Sequence, residues 1–205
     1  MKKTLHASER NREDVLRQRS DWSAKQLTLD IERLIFLDES GVNTGMTRLY
    51  GRALKGRRLV DYTPDVRFER TSILSSVRLT GATIPMAYSG ALDGELFVKY
   101  ITDFLAPTLK VGDIVIMDNL SSHKVKGVIE PIVIAGATVL YLPPYSPDFN
   151  PIEQLWSKIK SFLRKIKART TELLMDAIAA AFKTISLADI KNWFLHDGYS
   201  TRFVK

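Results

Sequence analysis

Apolar residues recur along this chain at two spacings, and the change from one to the other marks its elements. Leu34-Ile35-Phe36-Leu37 is a short apolar run closed by Asp38, with the turn-prone Ser40-Gly41 just beyond, the pattern of a buried strand. Phe68 to Leu79 and Thr83 to Tyr88 flank Thr80-Gly81-Ala82 and predict an antiparallel hairpin. From Asp93 or Gly94 the spacing lengthens: Leu96, Phe97, Tyr100, Ile101, Phe104 and Leu105 recur at helical intervals as far as Pro107. A second short run, Ile114 to Met117, delivers Asp118 at its end. A helix is expected from about Ser122 to Ala135, then a strand from Thr138 to Leu142. After a proline-rich turn, a further helix carries Glu153 in its first turn. Two more helices are expected over Thr171 to Ile185 and Leu187 to Leu195, the last opened by Ser186 and Asp189 at capping-box spacing. The order strands, helix, strand, helix, strand, helices predicts an α/β fold, a mixed sheet with helices on both faces.

Ahead of this pattern, residues 1–30 are polar and rich in both charges. Ser8 is placed to cap a helix from Glu9 to Lys25 whose only sizeable apolar contacts are Val15, Leu16 and Trp22. That is too little for a core, so 1–30 reads as a linker or docking helix and 31–205 as one domain. Between 41 and 67 the chain turns basic and loop-rich, with Arg48, Arg52, Lys55, Arg57, Arg58 and Arg67 among Gly41, Gly45, Gly51 and Gly56.

Composition narrows the classes. The 205 residues are 45% hydrophobic and carry a net charge of +7, which supports a sizeable core and favours a polyanionic partner such as nucleic acid. Cysteine is absent, which excludes disulfides, thiolate metal sites and a cysteine nucleophile. Lys2 and Lys3 are followed by no apolar signal segment, and the longest apolar stretch, Val128 to Leu142, is broken by Glu130, Pro131 and Gly136. A cytoplasmic protein without a membrane span is the expectation.

Three carboxylates stand where elements begin or end: Asp38, Asp118 and Glu153. If their elements are neighbours, three oxygen ligands suit a hard cation, Mg²⁺ or Mn²⁺, better than zinc. Such sites commonly hold two ions about 3.5–4 Å apart and serve phosphoryl transfer. Each residue also has a plainer reading. Asp38 and Asp118 can terminate strands and cap turns, and Asp118-Asn119 is doubly turn-like. Asn150, Pro151 and Glu153 match N-cap, N1 and N3 of a capping box, where an acid also complements the helix dipole. At about 3.6 residues per turn, Ser157, Lys160, Arg164 and Lys167 continue the face of Glu153, opposite the apolar Ile152, Leu155, Trp156, Ile159, Leu163 and Ile166. That basic face reads equally as a solvated surface or as a track for phosphates. Lys158, Lys160, Arg164, Lys165, Lys167 and His123 are the candidate DNA contacts, His123 also as an acid or simply as surface structure. Asp148 reads as a turn residue. Glu39, next to Asp38, should face the other way in a strand. His6 and His196 have no metal-like spacing.

FLDESGVNTGMTRLYGRALKG, VIMDNLSSHK and LPPYSPDFNPIEQLWSKIK together resemble the catalytic domain of DDE transposases of the mariner superfamily, most closely its bacterial insertion-sequence branch (IS six-thirty type). The resemblance runs from about Leu34 to Tyr199, and 34 residues lie between Asp118 and Glu153, as in that family's pattern. It implies an RNase H-like fold and a triad of Asp38, Asp118 and Glu153 holding two Mg²⁺ or Mn²⁺ ions. It also implies cleavage at element ends and transfer of the freed 3′-hydroxyl into target DNA, typically at TA. The partners implied are terminal inverted repeats and target DNA, a homodimer on paired ends, and a nucleoid-associated place in a bacterial cytoplasm. Family members usually carry N-terminal helix-turn-helix domains, which this sequence lacks, so a split reading frame or a truncated relic is expected. A general RNase H-like nuclease and a DNA-binding remnant without catalysis are the competing functions.

Overall fold

The computed structural model describes residues 7–63, 68, 70–81 and 83–200, and the backbone alone at 121 and 122; His6, Arg67 and Ala82, which entered the expectations above, lie outside these. The described residues form a five-stranded sheet of order β3-β2-β1-β4-β5. Its strands are β1 (Leu34–Asn43), β2 (Arg70–Arg78), β3 (Met86–Ser89), β4 (Ile114–Met117) and β5 (Thr138–Tyr141). β1 is central. It runs parallel to β4 from Leu34↔Ile114 to Leu37↔Met117 and antiparallel to β2 from Ile35↔Arg78 to Asn43↔Arg70. β4 and β5 are parallel, and β2 and β3 form the expected hairpin, its turn end tied by the pair Val77↔Thr83.

Strand alternation sorts the core into two layers. Leu34, Phe36 and Ile116 face one side, where α1 (Glu13–Gln26) contributes Trp22, α4 (Pro151–Ile166) Ile152, Leu155, Trp156, Ile159 and Leu163, and α5 (Thr171–Phe182) and α6 (Leu187–His196) further apolar side chains, among them Ile178 and Phe194. Ile35, Leu37, Val115 and Met117 face the other, against α2 (Gly94–Tyr100) and α3 (Ile129–Ile134). Carried two residues further, the same alternation puts Asp38 and Asp118 on the α4 side and Glu39 on the opposite one.

Several elements differ from their expected form. β1 does not end at Leu37 but runs on to Asn43, because β2 supplies a ladder beyond the last residue of β4. The helix expected over 122–135 is short: a 3₁₀ turn at Ser121–Lys124 gives way to extended Val125, and Gly127 takes a left-handed φ of 97° before α3 starts. The run starting at Gly94 widens into a π turn over Ile101–Leu105, which leaves Phe104 43% exposed. Ser8 caps nothing; its hydroxyl bonds the neighbouring Glu9, and α1 starts at Glu13 with Val15 and Trp22 buried but Leu16 exposed. Ser186 and Asp189 do form the reciprocal capping box of α6. Among the described residues no helix is long and apolar enough to cross a membrane.

Candidate active site

A cavity of about 490 Å³ opens where β1, β4 and α4 meet, and Asp38, Asp118 and Glu153 all border it, together with Asn119, Leu142, the 143–147 turn and Asn150. Asp38 sits within β1, one residue past the last parallel pair with β4, where the sheet opens toward α4. It is only 7% exposed. Its Oδ1 accepts from the Glu39 amide at 2.8 Å and its Oδ2 from the Trp156 indole at 3.2 Å. Burial pushes its carboxyl well above the usual carboxylate range, and the charges of Glu153 and Asp118 push the same way. Asp118 follows β4 directly, and its Oδ1 also takes the Leu120 amide at 3.2 Å, the turn-capping role anticipated for it.

Glu153 lies in the first turn of α4 and is exposed toward the cavity. The capping-box reading fails here. Asn150 makes no side-chain cap: its Oδ1 is buried without a hydrogen-bond partner, and its amide is given to the Pro147 carbonyl. Pro151 starts the helix in its place, and Glu153 has no reciprocal bond to make. Desolvation at the cavity wall raises the Glu153 carboxyl, Lys160 nearly two turns along opposes this, and Asp118 adds to it. Two of the three acids are thus disfavoured as anions by the site they share. That is the electrostatic signature of a place for a cation, and every donor is a hard oxygen suited to Mg²⁺ or Mn²⁺. Among the described residues no three of His, Cys, Asp and Glu are gathered into a ready-made metal cage, so the carboxylates share a cavity without closing on one point.

His123 is the largest departure from expectation. It has no exposed surface, which removes it from any DNA-contacting face. Its ring stacks on Phe97 at 4.5 Å, Nδ1 lies 2.6 Å from Asp118 Oδ1, and Nε2 lies 3.2 Å from Glu39 Oε2. Both nitrogens therefore donate to carboxylates, and the ring is an imidazolium bridging β1 and β4. Burial works against that charge, but the bonds to Asp118 and Glu39 win and push it up to about 9. Because the native value is raised above the ordinary 6.5, the stabilisation is fully present below that pH and is lost as pH rises through about 9. His123→Gln is expected to lower the unfolding free energy by about 1–3 kcal/mol at pH 6. The gap to wild type should shrink in melts above pH 9; a gap constant with pH would mean that the ring is neutral.

The remaining candidate DNA contacts are spread out. Lys160 and Arg164 are half-buried along α4, whereas Lys158 is bonded to Asp189 at 2.6 Å. Lys167 does not extend the face of Glu153: it ends α4 in a left-handed conformation at φ 56° and pairs with Asp61. Lys165 and Lys167 border a second cavity with Arg48, Tyr50 and Tyr62. Ile166, expected on the apolar face, is half-exposed in this last turn. Three participants escaped the sequence reading: Trp156 as a donor to Asp38, Glu39 as the far partner of His123, and Arg19, whose side chain grips Asp148 beside the cavity. For the second, the signal was present in strand alternation, which put Glu39 on the side where His123 now lies.

Compared with curated proteins, the sequence has no significant match. Solved structures are similar in fold. A Mos1 transposase paired-end complex with the left transposon end aligns with a TM-score of 0.76 at 14% identity, over 94% of this chain and 62% of that one. The mariner Mos1 paired-end complex with Mg aligns at 0.78 and 13% identity, over 96% and 64%. The catalytic domain of Mos1 mariner transposase aligns at 0.66 and 13% identity, over 96% and 94%. The chain thus spans less than two thirds of the chains in those complexes and nearly all of the isolated domain, whose RNase H-like fold it shares. A family model described as DDE superfamily endonuclease matches residues 33–174, more than two thirds of the sequence. The chain is a member of the DDE superfamily endonucleases.

Proposed function

We propose that this chain is the catalytic region of a transposase, in which Asp38, Asp118 and Glu153 hold two Mg²⁺ or Mn²⁺ ions, cleave DNA at element ends and join the freed end to target DNA. The observation that carries this reading is the shared cavity: three acids from β1, the end of β4 and the start of α4 border one opening in a DDE endonuclease domain. Mos1 paired-end complexes determined with Mg and with Mn support the choice of ions. Bound there, the ions would activate the attacking water or 3′-hydroxyl and offset charge on the leaving oxygen. The chain's own residues prepare the place. Trp156 and the Glu39 amide fix the two oxygens of Asp38. His123 fixes one oxygen of Asp118 from behind, and Lys160 holds down the proton affinity of Glu153.

The finer reading follows the resemblance. Inverted repeats are the cleaved substrate, TA the target, and a homodimer on paired ends the active form, with DNA held along Lys160 and Arg164 and with Lys158, Lys165 and Lys167 at the rim. A helix-turn-helix module ahead of the docking segment 1–30 supplies end recognition for the 31–205 domain, in a bacterial insertion sequence acting at the nucleoid. The test is an end-bearing DNA duplex incubated with the purified chain and Mn²⁺. Cleavage at the element end followed by joined product supports the reading. Cutting without regard to ends points to a general nuclease, and binding without cutting to a non-catalytic remnant.

A further inference from the structure

We infer that Arg19 of α1 is a positioning residue for the active-site cavity, holding the 144–150 wall in shape and, through it, the start of α4 that carries Glu153. The inference rests on the proposed function only for the role of Glu153; the mechanical part stands on contacts. The Arg19 side chain is 12% exposed. Its guanidinium donates to Ser146 Oγ at 2.7 Å, to the Tyr145 carbonyl at 3.3 Å, and to both Asp148 oxygens at 3.1 and 2.7 Å. It also lies over the Phe149 ring, 4.6 Å from its centroid. One side chain thus touches four of the five residues from Tyr145 to Phe149. Ser146 passes the restraint on, its hydroxyl donating to the Pro144 carbonyl at 3.0 Å.

The held segment has work for such a strut. Tyr145 sits at φ 54°, a left-handed conformation that a tyrosine does not adopt unaided. Asn150 offers α4 no side-chain cap. The entry to the helix therefore rests on Pro151 and on the backbone bonds of the very turn Arg19 grips, from the Phe149 and Asn150 amides to the Ser146 and Pro147 carbonyls. Three residues of the wall gripped by Arg19, Tyr145, Ser146 and, through Ser146, Pro144, border the same cavity as Glu153. α1 is itself anchored beside them: Trp22 donates to the Tyr199 hydroxyl at 3.3 Å, and that hydroxyl donates to the Phe149 carbonyl at 2.8 Å. Arg10 reinforces the carboxylate end, 3.0 Å from Asp148. Only guanidinium, with its planar fork, can serve the carboxylate, the hydroxyl and the carbonyl at once while lying over an aromatic ring. A lysine keeps the charge but loses that geometry.

The test compares wild type, Arg19→Lys, Arg19→Gln and Asp148→Asn by hydrogen exchange, with Mn²⁺ as the probe of the cavity. In Arg19→Gln, amides between 145 and 153 are expected to exchange about tenfold faster, the scale of one lost charge-assisted hydrogen bond, while β1 and β4 keep their protection. Arg19→Lys should recover little of this, and Asp148→Asn should loosen the same stretch. The Mn²⁺ concentration giving half-maximal cleavage should rise severalfold in Arg19→Gln, with the rate at saturating Mn²⁺ falling less. Unchanged exchange at 145–153 in both Arg19→Gln and Asp148→Asn overturns the inference, as does full rescue by Arg19→Lys. A wild-type chain that neither cleaves nor responds to Mn²⁺ would count against the proposed function, and the exchange measurement would still decide the role of Arg19.

Discussion

Asp38→Asn is expected to raise the melting temperature of the metal-free chain while lowering Mn²⁺-dependent DNA cleavage by about 10³-fold, the several kcal/mol that metal positioning supplies. The two effects have one origin. Asp38 is 7% exposed and faces the charges of Glu153 and Asp118. An amide fits the same space and can still accept from the Trp156 indole; its NH2 gives up the bond from the Glu39 amide, but it escapes the larger penalty of a buried anion. The expected gain is about 1–2 kcal/mol, or a few degrees for a domain of this size. The sign with pH follows from the raised native value. For wild type the favourable contribution is complete below the unfolded carboxylate range and is lost as pH rises through the native value. The advantage of the amide should therefore widen with pH and vanish in acid. Adding Mn²⁺ should raise the melting temperature of wild type and leave the variant nearly unmoved. A variant less stable than wild type at pH 8 without metal, or one that still cleaves, would remove Asp38 from the site.

Trp156→Ala is expected to cost about 3–5 kcal/mol in unfolding free energy, and Trp156→Phe about 1–3 kcal/mol. The indole is 3% exposed, packs edge-on against Phe182 at 6.5 Å, and sits in the layer that joins α4 to the sheet. Truncation to alanine opens a large void in that layer. Phenylalanine fills most of the volume but leaves the buried Asp38 oxygen without its donor. The comparison therefore separates packing from hydrogen bonding. Chemical denaturation measures both, and Trp156→Phe should further weaken Mn²⁺-dependent cleavage by leaving Asp38 Oδ2 free to turn. If Phe matches wild type in stability and cleavage, the indole is core filling alone.

The sheet and its two helical layers were legible because they rest on periodicity. Leu34 to Leu37 and Ile114 to Met117 alternate between the layers as their sequence requires, and the apolar face of α4 buries as drawn as far as Leu163. The three carboxylates were legible for the same reason, since each follows or opens a periodic run. What escaped depends on contacts between residues far apart in the chain. Nothing near Arg19 signals Asp148, 129 positions away, and strand alternation gave the face of Glu39 without naming His123, 84 positions away, as its partner. Capping was legible at one helix and not at another. Ser186 and Asp189 form their box, whereas Asn150 and Glu153 do not, although the spacing is identical. The difference is that the backbone already uses both donors of the box, the Asn150 amide bonding the Pro147 carbonyl and the Glu153 amide the Asn150 carbonyl.

The nine antiparallel pairs between β1 and β2 have a bearing on identity as well as on stability. Asp38 and Glu39 are adjacent acids that differ by one methylene, and only the pleat tells them apart. One meets Trp156 at the cavity shared with Asp118 and Glu153, the other meets His123 behind it. A slip of one residue would put Glu39 at the station of Asp38 and Ser40 at that of Glu39, or, in the other direction, Leu37 and Asp38 there, so neither slipped register keeps both acids in place. The hairpin partner that reaches past the end of β4 is thus what sets which acid enters the candidate site, so insertions should be tolerated in the 79–85 turn and not within β2 itself.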